Sequence, residues 1–234
     1  MKVAVMQPYF FPYLGYFQLI AAVDRFIAWD DVQYIQRGWV NRNRILLNGE
    51  PAYITLPVEK APQTAYISER QVADLAGASG KLLGQLHAAY RKAPHYAETR
   101  ALVEQILACE ERNLGRFLFN GLQQVCEHLG IKTTLLLSSA LEKNDAGLSG
   151  SERILALCEA QGADMYVNAI GGRELYSPDM FAARGIELRF IAMGPVRYAQ
   201  NVADFVPHLS IIDVLMFNER DVVRQFLQQY TLEP

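Results

Sequence analysis

The sequence predicts an α/β protein, a Rossmann-like doubly wound and mostly parallel sheet that carries a β-hairpin insertion and a helical subdomain. Short apolar runs without polar alternation, typical of strands buried on both faces, alternate with segments of helical periodicity. The chain has 234 residues, of which 51% are hydrophobic and 20% charged, enough for a full core. We expect residues 1–234 to form a single domain, with the helical insertion at about 78–130.

The first residues predict a βαβ unit. Residues 3–6 are an apolar run, interpreted as the first strand, and residues 14–23 follow with the apolar spacing of a helix. A second buried strand then ends at Asp30 and Asp31. Because the carboxyl ends of parallel strands meet at one edge of a sheet, we expect Gln7 to lie near both aspartates.

Residues 3–23 contain no charged side chain, so a signal peptide or membrane anchor has to be weighed. Pro8, Pro12 and Gly15 interrupt any apolar helix in this stretch. We therefore expect a cytoplasmic protein that does not associate with a membrane.

The composition argues against several classes of protein. The 22 basic and 25 acidic residues give a net charge of −3, which provides no broad surface for nucleic acid but leaves a local tRNA contact open. Three widely spaced cysteines in apolar surroundings predict no disulfide and no zinc site. The chain contains no Gly-x-Gly-x-x-Gly and no His-Glu-x-x-His, which removes the main support for dinucleotide oxidoreductases and zinc peptidases.

Residues 30–44 are polar, aromatic and rich in arginine, which favours a binding surface over plain core. Guanidinium groups pair with phosphate or carboxylate oxygens, amides both donate and accept, and aromatic rings stack on flat ligands. A phosphate-bearing ligand that contains a ring fits this set, and a solvated loop is the alternative. The candidate binding residues of the segment are Gln33, Tyr34, Arg37, Trp39, Asn41, Arg42, Asn43 and Arg44.

The next segments predict the two insertions. Residues 45–56 predict a hairpin around an Asn48-Gly49 turn. Residues 78–129 predict three helices, which form a helical subdomain or lid. His95, which follows a proline between the first two helices, is the histidine of this region that we select as a functional candidate.

The second half of the chain returns to the alternation of strands and helices. Strands are predicted at 131–137 and 165–169, and a final buried strand is predicted at 186–192. Ser149 and Glu152 predict a capping box for a helix, and Ser210 is predicted to cap a terminal helix.

One strand end in this half carries candidate ligand contacts. Asn168 closes the strand at 165–169, and Gly171 and Gly172 follow it. Their missing Cβ atoms would let a ligand approach the backbone. A simple turn is the other interpretation, and both stay open.

Three stretches carry a resemblance to a known family: MQPYFFPYLGYF at 6–17, DDVQYI at 30–35 and RGWVNRNR at 37–44. They resemble the WbqC-like family, and the similarity continues to FVPHLSIID at 205–213, so it covers essentially the whole chain. Members of that family occur in gene clusters for O-antigen and other bacterial surface polysaccharides. The resemblance implies a cytoplasmic transferase that attaches a small acyl or aminoacyl group, glycine in the proposal made for the family, to a nucleotide-linked amino sugar.

This hypothesis gives the candidate residues roles by chemical type. The sugar amine must be neutral to attack, so Asp30, Asp31 or His95 is the candidate base. A strand-end cap or a salt bridge with Arg37 is the alternative for the aspartate pair. The expected ligand contacts are phosphate binding by Arg37, Arg42 and Arg44, stacking by Trp39 or Tyr34, and polar contacts from Gln7, Asn41 and Asn43.

A second, fainter similarity is to nucleotidylyltransferases of Rossmann-like fold, in which His-x-Gly-His follows the first strand. Here Tyr13 and Tyr16 stand at the two histidine positions, and we include them among the substrate-binding candidates. Neutral tyrosines do not supply the positive charge of two histidines, which weakens adenylyl transfer as a function. An ATP-using enzyme of this kind and a non-catalytic module that binds nucleotide sugars are the alternatives. The sequence leaves the cofactor open.

Overall fold

The computed structural model describes residues 1–142, 147–148 and 150–234. Its strands are β1 (Lys2–Met6), β2 (Arg25–Ala28), β3 (Arg42–Leu47), β4 (Glu50–Thr55), β5 (Thr134–Leu137), β6 (Met165–Ala169), β7 (Glu187–Met193) and β8 (Tyr230–Glu233). Its helices are α1 (Leu14–Ala21), α2 (Leu75–Tyr90), α3 (Tyr96–Leu107), α4 (Leu114–Leu129), α5 (Gly150–Ala160), α6 (Pro178–Ala182), α7 (Ile211–Phe217) and α8 (Arg220–Phe226). Ser149, the cap of the predicted capping box, lies outside the described residues.

The main sheet has the strand order β5-β2-β1-β6-β7-β8. Neighbouring strands are parallel except β7 and β8, which are antiparallel. This confirms the predicted Rossmann-like, mostly parallel sheet. The strand order reverses between β1 and β6, so the connections leave in opposite directions and a crevice forms at the carboxyl ends of these strands.

The alternation along β1 shows why its residues are apolar throughout. Ala4 is fully buried in the core on one side of the sheet, together with residues of α1 and α4. Val3 and Val5 point the other way and pack with Ile154 of α5. Both faces of the sheet are therefore covered by helices, which is the reason for a continuous hydrophobic run.

The hairpin of β3 and β4 forms a two-stranded sheet apart from the main one. Its turn residues Asn48 and Gly49 have φ values of 54° and 81°, the left-handed conformations that a type I′ turn requires. Arg44 of β3 is paired in register with Tyr53 of β4. The predicted hairpin is thus present, and its register sets which side chains share a face.

The helical segment between the hairpin and β5 consists of α2, α3 and α4. Asn113 caps α4 by accepting a hydrogen bond from the backbone N–H of Arg116, and Gly130 ends it with a φ of 70°. Among the described residues, no helix is both long enough and apolar enough to cross a membrane.

The edge strand β8 is an element that the sequence analysis does not predict. Its residues Tyr230–Glu233 pair with Phe190 to Met193 of β7. The strand is only 4 residues long and none of its side chains is fully buried, so it has no apolar pattern to indicate it.

Candidate functional site

A cavity of about 580 Å³ opens at the carboxyl ends of β6 and β7, beside the loop that follows β1. This size is within the range of small-molecule sites, and the position is the crevice expected where the strand order reverses. The residues that line it are Tyr9, Tyr13, Gly15, Trp39, Asn43, Arg44, Ala169, Ile170, Gly171, Ile191, Ala192, Met193 and His208.

Arg44 supplies the positive charge of this cavity. Its guanidinium carbon lies 5.6 Å from the centroid of the Trp39 ring. Its Nε is buried and has no hydrogen-bond partner among the described residues, and no described lining residue carries a carboxylate. Because no described residue accepts a hydrogen bond from the Arg44 side chain, an anionic ligand that supplied oxygens to its guanidinium would be favoured.

Aromatic side chains form much of the remaining wall. Trp39 is 41% exposed, which leaves ring surface available to a ligand. Burial raises the pKa of Tyr9 and of Tyr13, so both hydroxyls stay neutral donors at physiological pH. Tyr13 also contacts His208 edge to face, with 5.7 Å between ring centroids.

Hydrogen bonds around Phe11 join the three segments that build the walls. The carbonyl oxygen of Phe11 accepts from Asn43 Nδ2 at 2.8 Å and from Ser210 Oγ at 2.8 Å. The backbone N–H of Ser210 donates to the carbonyl of Arg44 at 2.8 Å. The loop after β1, the hairpin and the start of α7 are therefore held in one arrangement, which places Arg44 and His208 at the same cavity.

The structure brings part of the predicted binding set together. Tyr13, Trp39, Asn43, Arg44 and Gly171 all line the cavity. The Asn43 side chain donates to backbone carbonyls and accepts from the Arg44 N–H, so it positions the wall.

Several lining residues were not selected from the sequence, and His208 is the most reactive of them. It lies between Pro207 and Leu209 within the stretch that resembles the family, and its φ of 57° is in the left-handed region. A non-glycine residue with positive φ is uncommon and often marks a functional site. Its place in a loop more than 160 positions after Trp39 gave no local pattern to connect it with this cavity.

Asp30 lies at the end of β2 with its carboxylate enclosed. The side chain is fully buried and accepts hydrogen bonds from Ser138 Oγ at 2.9 Å, Ser139 N at 2.9 Å and Ser139 Oγ at 2.7 Å. These contacts join β2 to the segment after β5. Asp30 is outside the lining of the 580 Å³ cavity, and its arrangement matches the alternative of a strand-end cap.

Asp31 also has protein partners. Its Oδ2 accepts from Arg153 NH2 at 2.8 Å, and its carbonyl accepts from Arg153 NH1 at 3.1 Å. Ser138 Oγ also lies within hydrogen-bond distance of its other carboxylate oxygen, so the single hydroxyl hydrogen is shared between Asp30 and Asp31. The sequence analysis gave a salt bridge of the aspartate pair with Arg37 as an alternative. In the structure Asp31 forms its ion pair with Arg153.

Other candidates around the first strand end and the hairpin have roles within the fold. Tyr16 is buried in the core and donates to the carbonyl of Gln7 at 2.8 Å. The buried Tyr34 ring is covered by the Arg70 guanidinium at 4.5 Å, and the exposed Gln33 donates to a neighbouring loop carbonyl. None of these four candidates is among the described residues that line the cavity.

The remaining candidates of the arginine-rich segment lie at the start of β3 or just before it, and they do not line the cavity among the described residues. The Arg42 guanidinium covers the Tyr53 ring at 4.5 Å and donates to the carbonyls of Arg37 and Gly38. Asn41 donates from Nδ2 to the carbonyl of Leu56 at 2.7 Å. The exposed Arg37 has a φ of 60°, which makes it part of the turn before β3.

Asn168, Gly172 and His95 complete the predicted set. Asn168 is buried at the end of β6 and accepts from the N–H of Ala169. A Cβ at Gly172 would lie 2.4 Å from Asn168 Nδ2, whereas a Cβ at Gly171 would meet open space. His95 precedes α3, where its N–H donates to the carbonyl of Met216, and it does not line the cavity among the described residues.

Comparison with known proteins places the chain in a family and shows a relative of it. A family model described as the WbqC-like protein family matches residues 7–225. An uncharacterized protein of Mycobacterium tuberculosis is 33% identical over 220 residues, which cover 93% of each chain. No solved structure matches the chain.

Proposed function

Because the chain belongs to the WbqC-like protein family, we propose that it is a cytoplasmic transferase that attaches a small acyl or aminoacyl group to a nucleotide-linked amino sugar in surface-polysaccharide biosynthesis. The observation that carries this proposal is the Arg44 guanidinium, which lines an aromatic cavity at the edge of the sheet and has no hydrogen-bond partner among the described residues. A guanidinium beside an indole ring suits a ligand that combines a phosphate with a flat base.

In this proposal the nucleotide part lies against Arg44 and Trp39. The guanidinium binds a phosphate oxygen, and the partly exposed indole ring stacks on the base. Gly171 borders the same space without a side chain, so the sugar can approach the end of β6 there. Tyr9 and Tyr13 donate hydrogen bonds to ligand oxygens because their hydroxyls are neutral.

The proton acceptor of the proposed reaction is His208. An amine must lose a proton as it attacks an acyl carbon, and imidazole is suited to accept it near neutral pH. His208 is in the cavity wall, whereas the carboxylates of Asp30 and Asp31 already accept hydrogen bonds from serine and arginine side chains. We therefore assign Asp30 and Asp31 to holding strand ends together and His208 to the chemistry.

Adenylyl transfer has less support from the site. Of the two tyrosines at the histidine positions of nucleotidylyltransferases, Tyr16 is 1% exposed and its hydroxyl is bonded to a backbone carbonyl. It therefore offers no group to a triphosphate.

The proposal is tested by calorimetric titration with UDP-glucosamine, a nucleotide-linked amino sugar. We expect the wild-type protein to bind it and Arg44→Met to bind it at least about tenfold more weakly, since a hydrogen bond to a charged group contributes about 1.5–3 kcal/mol. Arg42→Met is the matched control, because Arg42 lies on the same strand and covers Tyr53 outside the cavity. Absence of binding to UDP-, GDP- and dTDP-linked amino sugars would contradict the proposal, and binding without acyl transfer from any donor would favour the non-catalytic module.

A further inference from the structure

A second, smaller lobe lies next to the proposed nucleotide-sugar cavity. Its volume is about 340 Å³, and we call it the Arg197 lobe. Tyr13, Met193 and His208 line both the Arg197 lobe and the 580 Å³ cavity, so the two spaces share one wall. Arg197, Tyr198 and Phe205 line the Arg197 lobe outside this shared set.

Arg197 gives this lobe its charge. It is exposed, and its guanidinium carbon lies 5.7 Å from the centroid of the Phe205 ring. Neither an ion pair nor a hydrogen bond engages its side chain among the described residues, and none of the described lining residues is acidic. A planar guanidinium held against a ring at the mouth of a small cavity is suited to a phosphate oxygen.

Hydrogen bonds to buried side chains hold the loop that forms the Arg197 lobe. Gln200 is buried and donates to the carbonyl of Val206 at 2.9 Å while accepting from the N–H of Val206 at 2.8 Å. Tyr198 and Gln200 both donate to Oδ2 of the buried Asp213. Gln200 therefore joins the two ends of the loop to each other and, with Tyr198, ties the first end to α7, so a ligand would meet a preorganised surface.

We propose that the Arg197 lobe binds the acyl donor as an acyl group activated by phosphate, a mixed carboxylic–phosphoric anhydride. This inference rests on the proposed function, because it places the donor beside the amino sugar, at the residues that border both spaces. The lobe has room for a phosphate and a short acyl chain, and Arg197 binds the phosphate.

The reaction proposed beside His208 balances with these groups alone. The amine nitrogen attacks the acyl carbon and a C–N bond forms. The C–O bond to phosphate breaks, and its electron pair leaves with the phosphate, which Arg197 stabilises. The amine proton moves to the His208 imidazole, which later releases it to water.

The test uses acetylphosphonate, an analogue of acetyl phosphate that carries no cleavable C–O bond, in calorimetric titrations of the full chain. We expect the wild-type protein to bind it and Arg197→Ala to bind it at least about tenfold more weakly, because a charge-assisted hydrogen-bond pair is lost. The affinity of Arg197→Ala for UDP-glucosamine should stay within about twofold of wild type. Arg91→Ala, which removes an exposed arginine at the end of α2, is the matched control.

The outcomes separate this inference from the proposed function. The inference about the Arg197 lobe is overturned if acetylphosphonate does not bind, if Arg197→Ala binds acetylphosphonate normally, or if UDP-glucosamine displaces acetylphosphonate. A protein that binds acetylphosphonate through Arg197 but binds no nucleotide sugar supports the lobe as a phosphate site and overturns the proposed function. A titration with glycyl-sulfamoyl adenosine, an analogue of an acyl nucleotide, then distinguishes the two sources of the donor. Tight binding that depends on Arg197 indicates an acyl nucleotide. Binding of acetylphosphonate alone indicates a free acyl phosphate.

Discussion

Tyr90 and Asp213 are 123 positions apart in the chain and are joined by a buried hydrogen bond of 2.6 Å from the phenol to the carboxylate. Tyr90 ends α2, and Asp213 lies in α7, directly after the loop that carries His208. The Tyr90 oxygen also accepts from the N–H of Leu46 in β3. This one hydroxyl therefore joins the helical segment, the hairpin and the loop of the proposed site.

The first prediction concerns this hydroxyl. Tyr90→Phe leaves the Leu46 N–H and one carboxylate oxygen of Asp213 buried without their partner, so the free energy of unfolding should fall by about 1–3 kcal/mol. Urea denaturation measures the change. Tyr53→Phe removes an exposed phenol that has no hydrogen bond among the described residues and should stay within about 0.5 kcal/mol of wild type. Equal stability of the two variants would show that the Tyr90 bond is not structural.

The second prediction is a pH dependence of stability due to Asp213. Burial raises the pKa of this carboxyl above its usual range, although hydrogen bonds from Tyr90, Tyr198 and Gln200 oppose the shift. The folded state thus binds the proton more tightly than the unfolded chain. The stability that Asp213 contributes is fully present below its unfolded pKa of about 3.9 and is lost as the pH rises through its folded pKa.

Asp213→Asn tests this sign because the amide does not titrate. We expect the free energy of unfolding of wild type, measured relative to Asp213→Asn, to decline as the pH rises from about 4. Urea titrations of both proteins over this range measure the difference, in which the contributions of distant carboxyls cancel. A constant difference would contradict the raised pKa of Asp213.

The third prediction compares two adjacent glycines. Gly172→Ala places a methyl group 2.4 Å from the side-chain amide of the buried Asn168, so the protein should lose about 1–3 kcal/mol of stability through overpacking. Gly171→Ala meets no atom within 4 Å and should unfold like wild type while binding UDP-glucosamine more weakly, because the methyl group enters the cavity. Thermal unfolding and calorimetry measure the two effects, and the reverse pattern would place the ligand elsewhere.

The fourth prediction separates the candidate bases. His208→Asn keeps a residue that tolerates positive φ but removes the imidazole, so transfer should slow by about 10²- to 10⁴-fold with unchanged UDP-glucosamine affinity. Asp30→Asn should instead lower stability by about 1–3 kcal/mol, because an amide cannot accept all three of its hydrogen bonds. Transfer rates by mass spectrometry and unfolding curves measure both. A His208→Asn enzyme with normal turnover would remove the assignment.

Local pattern was sufficient for most of the fold. The apolar runs of β1 and β6 and the Asn48-Gly49 turn could be recognised from neighbouring residues, because strand burial and turn conformation depend on side chains close in sequence. The four-residue strand β8 could not, because its position against β7 comes from pairing at the sheet edge and not from its own composition.

For the site, the sequence by itself determined that arginine, aromatic and amide side chains follow the first two strands. Tertiary structure decided which of them share a space, because Arg44 lines the cavity while Arg42 covers the Tyr53 ring. It also gave the Asp30 carboxylate a hydrogen bond from Ser138, which is 108 positions later in the chain. It also brought His208 to the cavity that Arg44 lines, through the contact of the loop before α7 with the hairpin. The physical reason is that side-chain type is local, whereas burial and hydrogen-bond partners depend on how strands distant in sequence are ordered in the sheet.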